Sequence, residues 1–358
     1  AKVGARKKLE IIKYAEEKGL VQLSTKQQFR KTEEPLSTDV LSAPTYLEIY
    51  PLFTCNELCS FCYVGYHIEN AKGEKLTHEK IGDLAEIIHK NGIFNVTILG
   101  GEPFLYQSLD DLLIALKEKD LDVAISTNGT VFNTHYLDVI KEYKIKFNIA
   151  LHSHQERTHN TITRHVNGFK RTIQTIQEAK KRGITPHITT VIHPTTIDTI
   201  LDTVHFIHAL EIPSMTLSYP TPSEYTRIHQ STVAINVYEN IFRKAFNFGR
   251  ELGIMIQGNC HYNFLFREYE SGFDSTNPIS KYLYGDGAGR SKLEMTPQGD
   301  LYPTSLLFNN PLWKLGNIFN EDLSKIWNRT ILQQIRNRKI QEPCSSCIYL
   351  NICGGGLI

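Results

Sequence analysis

From residue 46 onward the chain alternates two hydrophobic rhythms. Short apolar runs at 46–52, 95–99, 122–126, 146–151, 185–192 and 215–219 predict strands. Longer stretches at 77–90, 109–119, 134–143, 166–182, 196–210 and 236–252 follow them and predict helices. Glycines at Gly92, Gly183 and Gly253 stand where helix ends need them. The run 96–99 reads as a strand buried on both faces, as parallel sheets require. Six strand–helix units in a row predict an α/β fold with right-handed crossovers. Six fall short of a closed eight-unit barrel, so the expectation is a partial (β/α)6 TIM-like barrel over 45–253. Chemistry in such folds sits on loops after the strands' C-terminal ends.

The flanks follow other patterns. Residues 6–30 read as a charged helical lead-in with Leu9, Ile12, Tyr14 and Leu20 on a loose stripe, and 31–44 as a linker, so 1–44 forms one segment. The tail, 254–358, predicts a small α+β extension. It has loops rich in Gly, Asn and Tyr, a hairpin-like stretch at 292–302 and a helix near 323–336.

Composition excludes some classes. Thirty-nine Lys and Arg against 38 Asp and Glu leave a formal charge of +1 over 358 residues, which disfavours nucleic acid as a partner. No run of ~18 apolar residues occurs, so no membrane span is expected. The basic start, residues 1–8, has no apolar core behind it and predicts no secretory signal. Seven cysteines suit no fully paired disulfide framework. They fall at 55, 59, 62, then 260, then 344, 347 and 353, which reads as two metal sites in a reducing cytoplasm.

Cys55, Cys59 and Cys62 follow the first predicted strand. Three thiolates so close can wrap one side of an iron–sulfur cube, leaving one iron open for a ligand. A zinc site with His67 as fourth ligand is the competing reading. The spacing Cys-x3-Cys-x2-Cys-Tyr in this position resembles the radical S-adenosylmethionine (SAM) superfamily. The resemblance implies a [4Fe–4S] cluster whose open iron chelates SAM, and a 5′-deoxyadenosyl radical that abstracts hydrogen from substrate. It further implies SAM contacts at Gly100, Gly101, Glu102 and Pro103 after the second strand. Ser126 and Asn128 after the third, Ser153 after the fourth and Arg164 beyond it complete the implied set.

Cys344, Cys347 and Cys353 have the Cys-x2-Cys-x5-Cys spacing. With the preceding 299–303 and 315–327 stretches they resemble the SPASM extension of peptide-modifying radical SAM enzymes. That family carries two auxiliary clusters. Here Asp286, Thr304 and Leu357 stand where three cysteines of the first would be. The resemblance therefore implies one auxiliary Fe–S cluster, on Cys344, Cys347 and Cys353. Cys260 is a candidate further ligand, with a buried free thiol as the alternative.

The resemblance points to a ribosomally made peptide as substrate, with crosslinking, thioether formation or oxidation as the outcome. It implies flavodoxin or ferredoxin as reductant. A small-molecule substrate such as a tetrapyrrole precursor, and a non-catalytic metal-binding scaffold, are the alternatives.

Overall fold

The computed structural model describes residues 41–70, 73–258, 287–308, 310–342, 344–346 and 350. The predicted lead-in, Cys260, Asp286, Cys347, Cys353 and Leu357 lie outside them.

All six predicted units form. The strands are β1 (Tyr46–Ile49), β2 (Asn95–Ile98), β3 (Asp122–Thr127), β4 (Lys146–Ala150), β5 (His187–Val191) and β6 (Ser214–Ser218). The helices between and after them are α2 (Ile81–Lys90), α3 (Leu109–Glu118), α4 (Thr134–Glu142), α6 (Gly168–Lys181), α7 (Ile200–Ala209) and α9 (Ile235–Leu252). Short helices α1 (Gly65–Asn70), α5 (Glu156–Thr163) and α8 (Glu224–Ile228) sit in loops after β1, β4 and β6, where the hydrophobic pattern gave no sign of them.

Neighbouring strands from β1 to β6 pair in parallel, in sequence order. A seventh strand, β7 (Met255–Gly258), joins in parallel beyond β6, so the sheet continues past the boundary expected at 253. The hairpin of the tail forms as β8 (Lys292–Met295) and β9 (Asp300–Tyr302), with β10 (Gly316–Asn317) antiparallel to β9. Strand β8 lies parallel beside β1, pairing Tyr46 with Lys292 and Glu48 with Glu294. Extension and barrel thus share one sheet.

Alternation along β1 divides its side chains. Leu47 and Ile49 are fully buried in the core that also takes Leu84, Ile88, Leu112, Leu116 and Ile140 from the surrounding helices. Tyr46 and Glu48 occupy the other face, and Glu48 borders the interior cavity. Short helix α10 (Leu323–Trp327) packs Ile326 on Gly316 of β10, and α11 (Thr330–Arg336) packs Leu332 and Ile335 on Gly289, just before β8. The fully buried Trp327 donates its indole N–H to the Leu41 carbonyl at 2.7 Å, tying the tail to the residues before β1.

Candidate active site

Strand C-terminal ends surround a cavity of about 340 Å³. Its wall includes all three clustered cysteines together with Gly100, Gly101, Ser126 and Asn128. The loop that carries the cysteines has no regular structure of its own and is held from outside. The last carbonyls of α5 have no partner within the helix. The Ile162 carbonyl accepts from Ser60 N–H and the Thr163 carbonyl from Leu58 N–H, each at 3.1 Å. Imidazole Nε2 of His193, after β5, meets the Ser60 hydroxyl at 3.2 Å and fixes the same loop from a second side.

The donor set suits a cationic iron–sulfur group. Burial pushes all three thiols up, Cys62 to about 12, and among the described residues no lysine or arginine lines the cavity to offset this. Only a positively charged centre would hold them as thiolates. The Glu57 N–H points at Cys55 Sγ (3.4 Å), as backbone donors to cluster sulfurs do. Among the described residues no three His, Cys, Asp or Glu groups gather round one ion-sized point. His67 stacks on Phe53 at 4.8 Å, away from the ligand role of the zinc reading. Burial raises Glu57 to about 8, its Oε2 accepting from the Cys59 thiol and its Oε1 having no partner.

The Gly-Gly-Glu-Pro turn packs tightly against the cysteine loop. Gly101 N–H donates to the Leu52 carbonyl at 3.0 Å and Glu102 N–H to the Thr54 carbonyl at 2.9 Å. A Cβ on Gly101 would collide with the Thr54 carbonyl, and Gly100 sits at φ +127°. The Glu102 side chain faces away from the cavity and is wholly buried. Its Oε1 accepts from Thr127 hydroxyl (2.5 Å) and Phe104 N–H (3.0 Å), its Oε2 from Asn128 N–H (2.8 Å). Burial raises it to about 7 against the pull of those three donors. Glu102 thus joins the β2 and β3 loops, and the glycine backbone of the motif borders the cavity. Pro103 is buried in the turn that follows.

Asn128 Nδ2 donates to Asn56 Oδ1 at 2.9 Å, and its Oδ1 accepts from Thr130 N–H at 2.8 Å. This fixes the amide beside Cys55. Ser153 does not line the cavity. It is fully buried, and its hydroxyl accepts from Gln155 N–H at 3.1 Å. Its neighbour His152 borders the space instead, one residue earlier. Val191 N–H donates to His152 Nδ1 at 3.2 Å, so Nε2 carries the ring proton, and burial keeps the ring neutral. Phe61 packs edge-on against His152 at 4.6 Å. Arg164 caps α5 in the left-handed conformation and is exposed. Its guanidinium meets His229 Nδ1 at 2.8 Å and does not border the cavity.

Among the cavity residues without a motif signal are Glu48 and Phe61, while Tyr63 closes the cysteine motif. Glu48 and Tyr63 face the space, and Tyr63 is bonded to the Tyr50 hydroxyl at 3.0 Å. Phe61 lies between the cysteines and His152. Alternation along β1 would have placed Glu48 inward once Leu47 and Ile49 were assigned to the helices. Of the second cysteine set, the structure describes only Cys344, a half-buried free thiol. Thr304 begins a short 3-10 turn after β9.

Comparison with known proteins agrees with this arrangement. The Radical SAM superfamily matches residues 49–207, and the SPASM iron–sulfur cluster-binding domain matches 287–348. The antilisterial bacteriocin subtilosin biosynthesis protein AlbA of Bacillus subtilis is 24% identical over 316 residues, 84% of this chain and 64% of that protein. A probable GTP 3′,8-cyclase of Thermoplasma volcanium is 32% identical over 153 residues, 42% of this chain and 45% of the cyclase. The chain thus spans less than two thirds of either relative. Streptococcus suis SuiB bound to the precursor peptide SuiA superposes with a TM-score of 0.76 at 22% identity, covering 98% of this chain and 83% of SuiB. Native anSMEcpe with bound AdoMet and Cp18Cys peptide superposes with a TM-score of 0.69 at 16% identity, covering 87% of this chain and 88% of its own. Both superpositions show the fold. With three cysteines at the mouth of a partial barrel and both sequence families matched in order, residues 49–207 form a Radical SAM superfamily domain and residues 287–348 a SPASM iron–sulfur cluster-binding domain.

Proposed function

We propose that this protein modifies a ribosomally made peptide by radical SAM chemistry. The observation that carries the reading is the coincidence of three buried thiols and the Gly100–Gly101 backbone on one cavity wall, in a chain whose extension matches the SPASM domain. Cys55, Cys59 and Cys62 would hold a [4Fe–4S] cluster, and Gly100, Gly101, Ser126 and Asn128 border the space where SAM would lie. When bound, cluster and SAM supply a carbon radical able to take hydrogen from an unactivated C–H bond.

The chain's own residues do the rest. The Gly101 turn brings backbone against the cysteine loop. Glu102 keeps the β2 and β3 loops in register. His152 offers an Nε2–H donor, and Phe61 excludes water beside it. Cys344, Cys347 and Cys353 would hold the auxiliary cluster, with 45–253 as the catalytic barrel and 254–358 as the extension. Among the described residues no helix is long and apolar enough to cross a membrane. The cysteine pattern supports work in a reducing cytoplasm with a flavodoxin or ferredoxin as electron donor.

Support for a peptide comes from the relatives: subtilosin biosynthesis in one, a bound precursor peptide in another. A small-molecule substrate is the second reading, favoured by the likeness of the barrel to GTP 3′,8-cyclases. Anaerobic reconstitution followed by SAM, dithionite and candidate precursor peptides separates them. A peptide that raises 5′-deoxyadenosine well above background and changes in mass supports the first. Response only to small molecules, or a colourless zinc protein without SAM cleavage, overturns it. Cys59→Ala should abolish SAM cleavage, and retained cleavage would refute the assignment of the cluster.

A further inference from the structure

Abstraction of a hydrogen atom is half of an oxidative modification. Joining a substrate C–H to a second X–H group removes two hydrogens and two electrons. One hydrogen leaves as an atom, to the 5′-deoxyadenosyl carbon. The other must leave as a proton, with its electron passing to a one-electron oxidant, here an iron–sulfur cluster. A proton acceptor is therefore required, and this need rests on the function proposed above.

Among the described residues, the ionisable side chains on the cavity wall, thiols and tyrosines aside, are Glu48, Glu57 and His152. His152 has its acceptor nitrogen already taken by Val191 N–H. Glu57 stands between Cys55 and Cys59 within the cysteine loop and is buried there, 3% exposed. Glu48 remains, and its setting is distinctive. It stands in register with Glu294 on β8, and Lys292 lies between the two carboxyl groups. Lys292 Nζ is 2.8 Å from Glu294 Oε1 and 3.2 Å from Glu48 Oε2.

The two carboxyl groups are held unequally. Glu294 also accepts from Ser305 N–H at 2.8 Å and from the Tyr50 hydroxyl at 3.1 Å, both on Oε2, and its side chain is 2% exposed. Glu48 has the longer contact to Lys292 and is 15% exposed, towards the cavity. One ammonium cannot neutralise two buried carboxylates, so one of them takes up a proton readily. Lys292 and its two further donors hold Glu294 ionised, below the usual carboxylate range despite burial. Burial raises Glu48, against Lys292 and with Glu294. Among the described residues, Tyr46 on β1, Tyr50 just after it and Tyr63 on the cysteine loop are the other titratable groups facing it, and desolvation pushes all three up, so they keep their protons. We propose that Glu48 is the proton acceptor of the cavity, poised by a lysine and a second carboxylate on the strand that the extension adds to the barrel.

The test uses the reconstituted full-length chain and whichever peptide raises 5′-deoxyadenosine. Glu48→Gln should still form 5′-deoxyadenosine with that peptide while its modified product falls by about 100-fold, the scale of a lost general base. Glu48→Asp should recover part of the rate. The wild-type product rate should climb with pH through a limb that Glu48→Gln lacks. Glu294→Gln leaves Lys292 to Glu48 alone and should move that limb to lower pH, a shift that a purely structural role would not produce. Infrared difference spectra of the protein without peptide should show protonated carboxyl bands that titrate near neutrality in wild type, and Glu48→Gln should lose one of them while those of Glu57 and Glu102 remain. A wild type that leaves every peptide unchanged overturns the peptide reading and this proposal with it. If wild type converts the peptide and Glu48→Gln does so as fast, with the same pH limb and the same infrared bands, only the proton acceptor is overturned.

Discussion

Two glutamates border the catalytic end of the barrel, and the sheet treats them differently. Glu102, after β2, lies in a pocket of neutral donors, all within 25 or 26 residues along the chain or closer. Glu48, on β1, meets a lysine 244 residues away and shares it with a competitor. The first carboxyl finds its three donors locally and holds two loops together, though burial still raises it to about 7. The second has its needs half met and keeps its remaining reach for the cavity. Buried charge serves as a fastening where donors are in surplus, and as a reactive group where they are rationed.

Substitutions can break or sharpen this contrast. The largest loss of stability is expected from Lys292→Met, which strands two carboxylates. It should cost about 3–5 kcal/mol in denaturant unfolding at neutral pH, and less in acid, where the carboxyls become neutral. Glu102→Ala should cost about 3 kcal/mol by leaving Thr127, Phe104 N–H and Asn128 N–H without an acceptor, while Glu102→Gln recovers part of that. If Lys292→Met were milder than Glu102→Ala, the β1–β8 seam would not be the strained region.

Glu48→Gln should act chiefly on pH dependence. A carboxyl raised in the folded state binds its proton more tightly there than in the unfolded chain. Its contribution therefore falls as pH climbs from the ordinary carboxyl range towards neutrality, by at most about 1.4 kcal/mol per pH unit for one proton. Relative to wild type, Glu48→Gln should gain stability over that window, read from unfolding midpoints at each pH. Tyr63→Phe removes one hydrogen bond to Tyr50 and should cost about 1 kcal/mol, independent of pH below the tyrosine range.

Local periodicity made the barrel legible. Strands and helices of the six units sit within a few residues of where hydrophobic spacing puts them, because each unit buries a continuous face. Cysteine spacing and the two glycines of the Gly-Gly-Glu turn pointed to residues that line one wall, whereas Glu102 of that turn faces away from it. The misreadings have physical reasons. Ser153 was expected at the cavity, yet the chain leaving β4 turns so that His152 borders the space and Ser153 caps the next turn. Arg164 was expected on SAM, and the left-handed cap of α5 directs it to His229. Glu48 carried no signal because its partner lies in the extension, and a lone glutamate in a strand has no spacing to read. Strand β7 is four residues long, with two exposed positions, and offered too little hydrophobic pattern to register.

The pairing of β8 with β1 also sets an order of events at the ribosome. Strand β1 is among the first barrel elements made, and one of its two neighbours emerges only after some 240 further residues. Until then its free edge has exposed N–H and C=O groups and Glu48 has no cation. Loop closure over that separation makes this contact a late one. A chain terminated after residue 258 would keep β2 to β7 yet leave β1 open to pairing with any other strand in reach. Expression of the barrel without its extension should therefore yield aggregates, so the two parts are not separable modules.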